Sequence, residues 1–183
     1  MHNRTSQTAS TCPLRSTRPP GPTGFRVEPA SVASGARRRA VRDGDRQTDT
    51  AHLLHSLLEY DPDVRAAFDG GPAQVLRLRG YLAQRSIGYG LRWRGAAEGS
   101  EAPFRPRAGG ATPLSPAAAA AVEGALTRAR ARGADRATGT DLLAALAADR
   151  ECRAVEVLRR VGVDPERLVA RLELECGAVR DGG

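Results

Sequence analysis

Two of the three histidines in this 183-residue chain, His52 and His55, stand three residues apart in TDTAHLLHSLLEY (Thr48–Tyr60), with Asp49 just ahead. On a helix that spacing puts both imidazoles on one side, as a pair of metal ligands or a catalytic pair would be. A zinc site needs two further convergent ligands, and beyond Asp49 nothing in the sequence has ligand spacing. A catalytic serine needs a base within hydrogen-bond reach. Ser56 follows His55 directly, and neighbours on a helix point about 100° apart. No GxSxG is present. The expectation is a chain with no catalytic residues, no metal and no cofactor, hence not an enzyme. His52 then simply lies near the start of its helix, and His55 faces solvent or a neighbour.

The elements that must hold these residues read as helices throughout. Pro29–Asp43, Thr48–Tyr60, Asp61–Asp69 and Pro72–Ser86 form a first group, the last with Val75, Leu76, Leu78 and Leu82 as its apolar face. In the second group, Ser115 as N-cap and Pro116 at the first helical position open a helix that Gly133 ends. Val122, Ala125, Leu126 and Ala129 are its expected inner face. Thr138–Asp149 is a short apolar helix, Arg150–Gly162 carries Ala154, Val157, Leu158 and Val161 on one stripe, and Asp164–Glu175 presents Leu168, Val169 and Leu172. Asp49, Asp61, Asp149 and Asp164 are expected to cap the helices that follow them.

HLLHSLLEYDPDVRAA (His52–Ala67) lies beside DLLAALAADRECRAV (Asp141–Val155): each runs from a Leu-Leu helix through an aspartate to an Arg-Ala pair. The chain thus reads as all-α, two tandem pseudo-symmetric four-helix repeats. The expected division is a disordered basic tail over 1–27, a first repeat over 28–94, a flexible linker over 95–112, a second repeat over 113–176 and a disordered C-terminus over 177–183. The tail and the linker are rich in Pro, Gly, Ser and Thr or Ala, with little apolar surface to offset chain entropy.

Charge and cysteine narrow the function classes. All 28 basic residues are arginine, and the net charge is +7. Residues 1–42 hold eight arginines against the single acid Glu28, so the excess sits in the tail and first helix. That is the one basis for an alternative reading as a nucleic-acid-binding regulator working through the basic arm. Cys12, Cys152 and Cys176 form no CxxC pair and are odd in number, which points to reduced thiols in a cytoplasmic protein. No run approaches the roughly 18 apolar residues of a membrane span. The aromatic group Tyr81, Tyr89 and Trp93 is a candidate core cap or partner anchor.

GADRATGTDLLAALAAD and AVEVLRRVGVDPERLVARLE, together with TDTAHLLHSLL, resemble the N-terminal domain of the Clp-type AAA+ unfoldases, the bacterial ClpC and ClpA group. The resemblance covers about residues 28–94 and 113–176. No P-loop accompanies it, and a chain without lysine cannot form one, so the chain looks like a free-standing Clp N-domain. The resemblance implies a non-catalytic module that docks adaptors, substrates or a Clp subunit, and modulates Clp-dependent proteolysis or sequesters N-domain ligands. Thr50, Ala51, His52, Thr138, Thr140 and Asp141 are the implied ligand- or partner-binding residues, with the groove between the repeats as contact surface. In the family, phosphoarginine is recognised through an acid after the motif threonine. Matching His52 to the family histidine puts Ala51 at that place. In the second repeat the Leu-Leu pair puts Thr140 there, while a shift of one residue restores Gly139-Thr140-Asp141. Phosphoarginine recognition is left only at a degenerate second site.

Overall fold

The computed structural model describes residues 29–86, 98 and 112–178. The expected tail, most of the linker, Tyr89, Trp93 and the last five residues lie outside the described residues. Among the described residues eight helices follow one another: α1 Pro29–Asp43, α2 Thr50–Tyr60, α3 Pro62–Ala66, α4 Gly71–Ser86, α5 Pro116–Ala131, α6 Gly139–Ala148, α7 Arg153–Arg160 and α8 Pro165–Ala178. The fold is all-α. Among the described residues the extended pairing is a single parallel bridge, Thr48 to Leu114. No described helix is long and apolar enough to cross a membrane.

Two short apolar helices make the centre. α2 buries Leu53, Leu54, Leu57 and Leu58 completely, and α6 does the same with Leu142, Leu143 and Leu146. A helix apolar over so much of its surface needs neighbours on several sides. α1, α4 and α7 pack on α2, while α5 and α8 pack on α6; α2 and α6 also touch one another. Buried apolar residues from each of these eight helices form one continuous cluster. Aliphatic and alanine side chains fill it, with Phe68 the aromatic residue fully inside.

Two expected faces are corrected. α5 turns Ala118, Ala121, Ala125 and Ala129 inward; Val122 sits at the edge and Leu126 is exposed. The reason is close approach: a methyl placed on Gly124 would meet the Ala145 methyl at 3.3 Å, so only small residues fit between α5 and α6. In α4 the inner stripe is Val75, Leu78 and Leu82, and Leu76 points to solvent.

Caps end the helices largely as the sequence implies. Ser115 accepts from Ala118 N–H, Asp61 from Asp63 and Val64 N–H, and Asp164 from Glu166 and Arg167 N–H. Asp149 does not cap α7. Its carboxylate takes Glu151 N–H at 3.2 Å, two residues on, and α7 begins after Cys152, which offers no side-chain cap. The start of α7 is satisfied from elsewhere in the molecule.

Candidate functional site

At the start of α2, Asp49 accepts His52 N–H at 2.9 Å, and His52 Nδ1 accepts Asp49 N–H at 3.2 Å. This reciprocal cap satisfies two of the donors a helix N-terminus leaves open. Carboxylates flank both ring nitrogens: Nδ1 lies 2.7 Å from Asp49 Oδ1, and Nε2 lies 3.1 Å from Asp45 Oδ2 and 3.8 Å from Asp43 Oδ2. His52 is fully buried among acids. His55, one turn on, meets the opposite field. Burial first, then Arg39, Arg79, His52 and Arg42, lower its pKa to about 3, so it is neutral at physiological pH. Ser56 is buried, and among the described residues its hydroxyl has no hydrogen-bond partner. It packs on α1 at Gly35, where a methyl would approach Ser56 Oγ to 3.3 Å. The histidines and serine thus occupy three separate environments.

The start of α6 repeats the cap with other residues. Thr138 Oγ1 accepts Asp141 N–H at 3.3 Å, and Asp141 Oδ2 accepts Thr138 N–H at 2.8 Å. The two threonine hydroxyls, Thr138 and Thr140, are 2.9 Å apart. Arg132, just beyond α5, holds both carboxylate oxygens of Asp141 in a fork, Nη2 to Oδ2 at 2.8 Å and Nη1 to Oδ1. Burial raises the pKa of Asp141, but Arg132 and the Thr138 donors outweigh it and hold it below the usual range. His52 and Asp141 are both third residues of their helices, so Ala51 and Thr140 share the second position.

The implied binding residues are therefore placed unevenly. Thr50, Ala51 and His52 are buried, whereas Thr138 and Thr140 are half-buried beside the buried Asp141. The α2 group is sealed by residues far away in the chain. Arg153 Nη1 donates to Asp49 Oδ2 at 2.8 Å across 104 residues. Glu98 brings a carboxylate onto the first turns of α2 and α7. Oε2 accepts Thr50 N–H and Ser115 Oγ–H, each at 2.8 Å, and Oε1 accepts Thr50 Oγ1–H and, at 2.7 Å, Arg153 N–H. Thr50 Oγ1 in turn accepts Ala154 N–H at 3.0 Å. Thus α7, which has no cap of its own, is capped by Glu98 and Thr50. The α6 start has a parallel contact: Gly139 lies so close to Asp61 and Val64 that a methyl on it would overlap the Asp61 carboxylate.

No family model and no curated relative matches the sequence. Solved structures do match in shape. The N-terminal domain of the caseinolytic protease associated chaperone ClpD from Arabidopsis thaliana superposes with a TM-score of 0.59 at 19% identity, over 83% of this chain and 94% of that one. The Hsp104 N-terminal domain from Candida albicans gives 0.54 at 11% identity, over 81% and 88%. A chain from a malarial protein secretion system gives 0.56 at 14%, over 81% and 91%. The fold is that of a Clp N-terminal domain.

Within this Clp N-domain fold the first turn of α7 also borders a cleft of about 370 Å³, lined by Arg150, Glu151, Cys152, Glu156, Arg159 and Arg160. Cys152 supplies no reactive thiol there. Burial pushes its pKa up to about 11, and Sγ donates to Leu146 carbonyl at 3.3 Å. Among the described residues no cluster of His, Cys, Asp and Glu has the makings of a metal site.

Sequence reasoning missed Glu98, Arg132 and Arg153 as parts of these two sites. Arg132 carries a weak signal, one residue before the Gly133 stop and nine before Asp141. Glu98 stands in GAAEGSEAP with no helical or strand pattern around it, and only the tertiary structure reveals its partners.

Proposed function

We propose that the chain is a non-catalytic protein- or peptide-binding module related to Clp unfoldase N-domains. It would dock an adaptor, a substrate protein or a Clp subunit, and thereby modulate Clp-dependent proteolysis or sequester ligands of the unfoldase N-domain. The observation that carries this is the extent of the fold match: more than four fifths of the chain follows the ClpD and Hsp104 N-domains, and about nine tenths of each of those domains is matched. The partner surface in this reading centres on the half-buried threonines Thr138 and Thr140. Thr50, Ala51 and His52 would support it from inside rather than touch the partner. The ligand is an unmodified protein or peptide. Phosphoarginine fits less well, because Ala51 and Thr140 occupy the acid position and the Asp141 carboxylate already holds the Arg132 guanidinium.

The test is direct binding of the purified chain to a Clp ATPase, its adaptors and an unfolded model substrate, followed by a Clp proteolysis assay. The expected result is saturable binding to at least one of these and a dose-dependent change in proteolysis, both weakened by Thr140→Arg. Absence of binding to all three sinks the reading.

A further inference from the structure

The carboxylate of Glu98 is fully inside the protein, and each oxygen accepts two hydrogen bonds, which uses the four acceptor sites an ionised carboxylate has. Among the described residues no arginine pairs with it; the nearby Arg153 guanidinium goes to Asp49. The negative charge is met by backbone N–H groups at the positive ends of α2 and α7, and by two hydroxyls.

These donors are held in place by other contacts. Thr48 N–H donates to Pro113 carbonyl at 2.7 Å and Ser115 N–H to Thr48 carbonyl at 2.9 Å, which locks the entries of α2 and α5 together. Each hydroxyl already accepts a helix N–H, Ser115 from Ala118 and Thr50 from Ala154, so each hydroxyl proton is left to point at the anion. The four bonds come from α2, α7 and the α5 cap, all at least 17 residues from Glu98 in the chain, so the donors and the carboxylate they hold belong to distant stretches of sequence.

We propose that the first turns of α2 and α7, with the α5 cap Ser115, form a carboxylate-binding site that Glu98 fills in cis and for which an acidic side chain of a partner competes. Four donors arranged two to each oxygen suit a planar two-oxygen anion better than a tetrahedral one. The proposal rests on this geometry and not on the Clp-partner reading, so either can fail alone.

The test is chemical rescue in the full chain. Glu98→Ala is expected to melt several degrees below the parent in sodium chloride. Sodium acetate at the same ionic strength should raise its melting temperature with concentration, as a ligand of the native state does, and leave the parent unchanged relative to chloride. If Glu98→Ala is unfolded in chloride, acetate should restore its helical circular dichroism. N-acetylglutamate amide should act like acetate, and N-acetylglutamine amide should not. A Glu98→Ala chain that melts like the parent, or responds to acetate no more than to chloride, overturns the proposal. An equal response to phosphate overturns the carboxylate assignment.

Discussion

His55 shows how little a residue's type says without its surroundings. Three residues from His52, it faces arginines where His52 faces acids, and its pKa falls from 6.5 to about 3. The unfolded chain therefore binds a proton at His55 that the native chain refuses, and stability rises with pH over the interval between those values. The contribution is complete above about pH 6.5 and is lost as the pH falls toward 3. Replacing His55 with Gln should flatten the melting-temperature profile between pH 6.5 and 5. An unchanged slope in thermal melts would show that His55 is not held neutral. The partial exposure of this side chain keeps the expected effect modest, since solvent screens the surrounding charges.

At the scale of elements, the sequence announced nearly every helix but not how they meet. The starts at Ser115, Asp61 and Asp164 were legible because a cap is a local device, read from three or four consecutive residues. The α5 face was not. Val122 and Leu126 are the larger apolar residues, yet Gly124 lies so near the Ala145 methyl that only small residues fit between the helices, and that constraint belongs to the pair of helices. Gly80 and Gly139 separate the local term from the contact term. Gly80 lies in exposed α4 with open space where a methyl would go, so Gly80→Ala should stabilise by about 0.5–1 kcal/mol through helix propensity. Gly139→Ala adds the same methyl against the Asp61 carboxylate and should destabilise by about 1–3 kcal/mol through overpacking. Denaturant unfolding of the two variants should give opposite signs. Stabilisation by both would mean that α3 does not press on α6.

The molecule as a whole is joined by polar ties between distant stretches of chain, and these were the least legible features. Asp49 was readable as a cap, and His52 as a residue near the same helix start. That Arg153 completes Asp49, or that Glu98 caps α7, depends on long-range packing that no local spacing encodes. The Asp49–Arg153 pair, with both side chains largely out of solvent, is the sharpest test of that joining. Asn at 49 keeps an oxygen for His52 N–H but removes the charge that faces Arg153; Met at 153 keeps the bulk but removes the charge that faces Asp49. Each single change should cost about 1–3 kcal/mol, because a buried charge that loses a partner still bears its desolvation penalty. The double variant Asp49→Asn, Arg153→Met removes both charges of the pair, so it should lose less than the sum of the two, with a coupling of about 1–3 kcal/mol. Since α2 and α6 share one continuous core, each variant should still unfold in a single transition, with calorimetric and van't Hoff enthalpies in agreement. Additive losses would show that the tie is not formed in solution. A transition that splits in two would show that the halves of the chain are stable separately, with Arg153 and Asp49 a hinge between them.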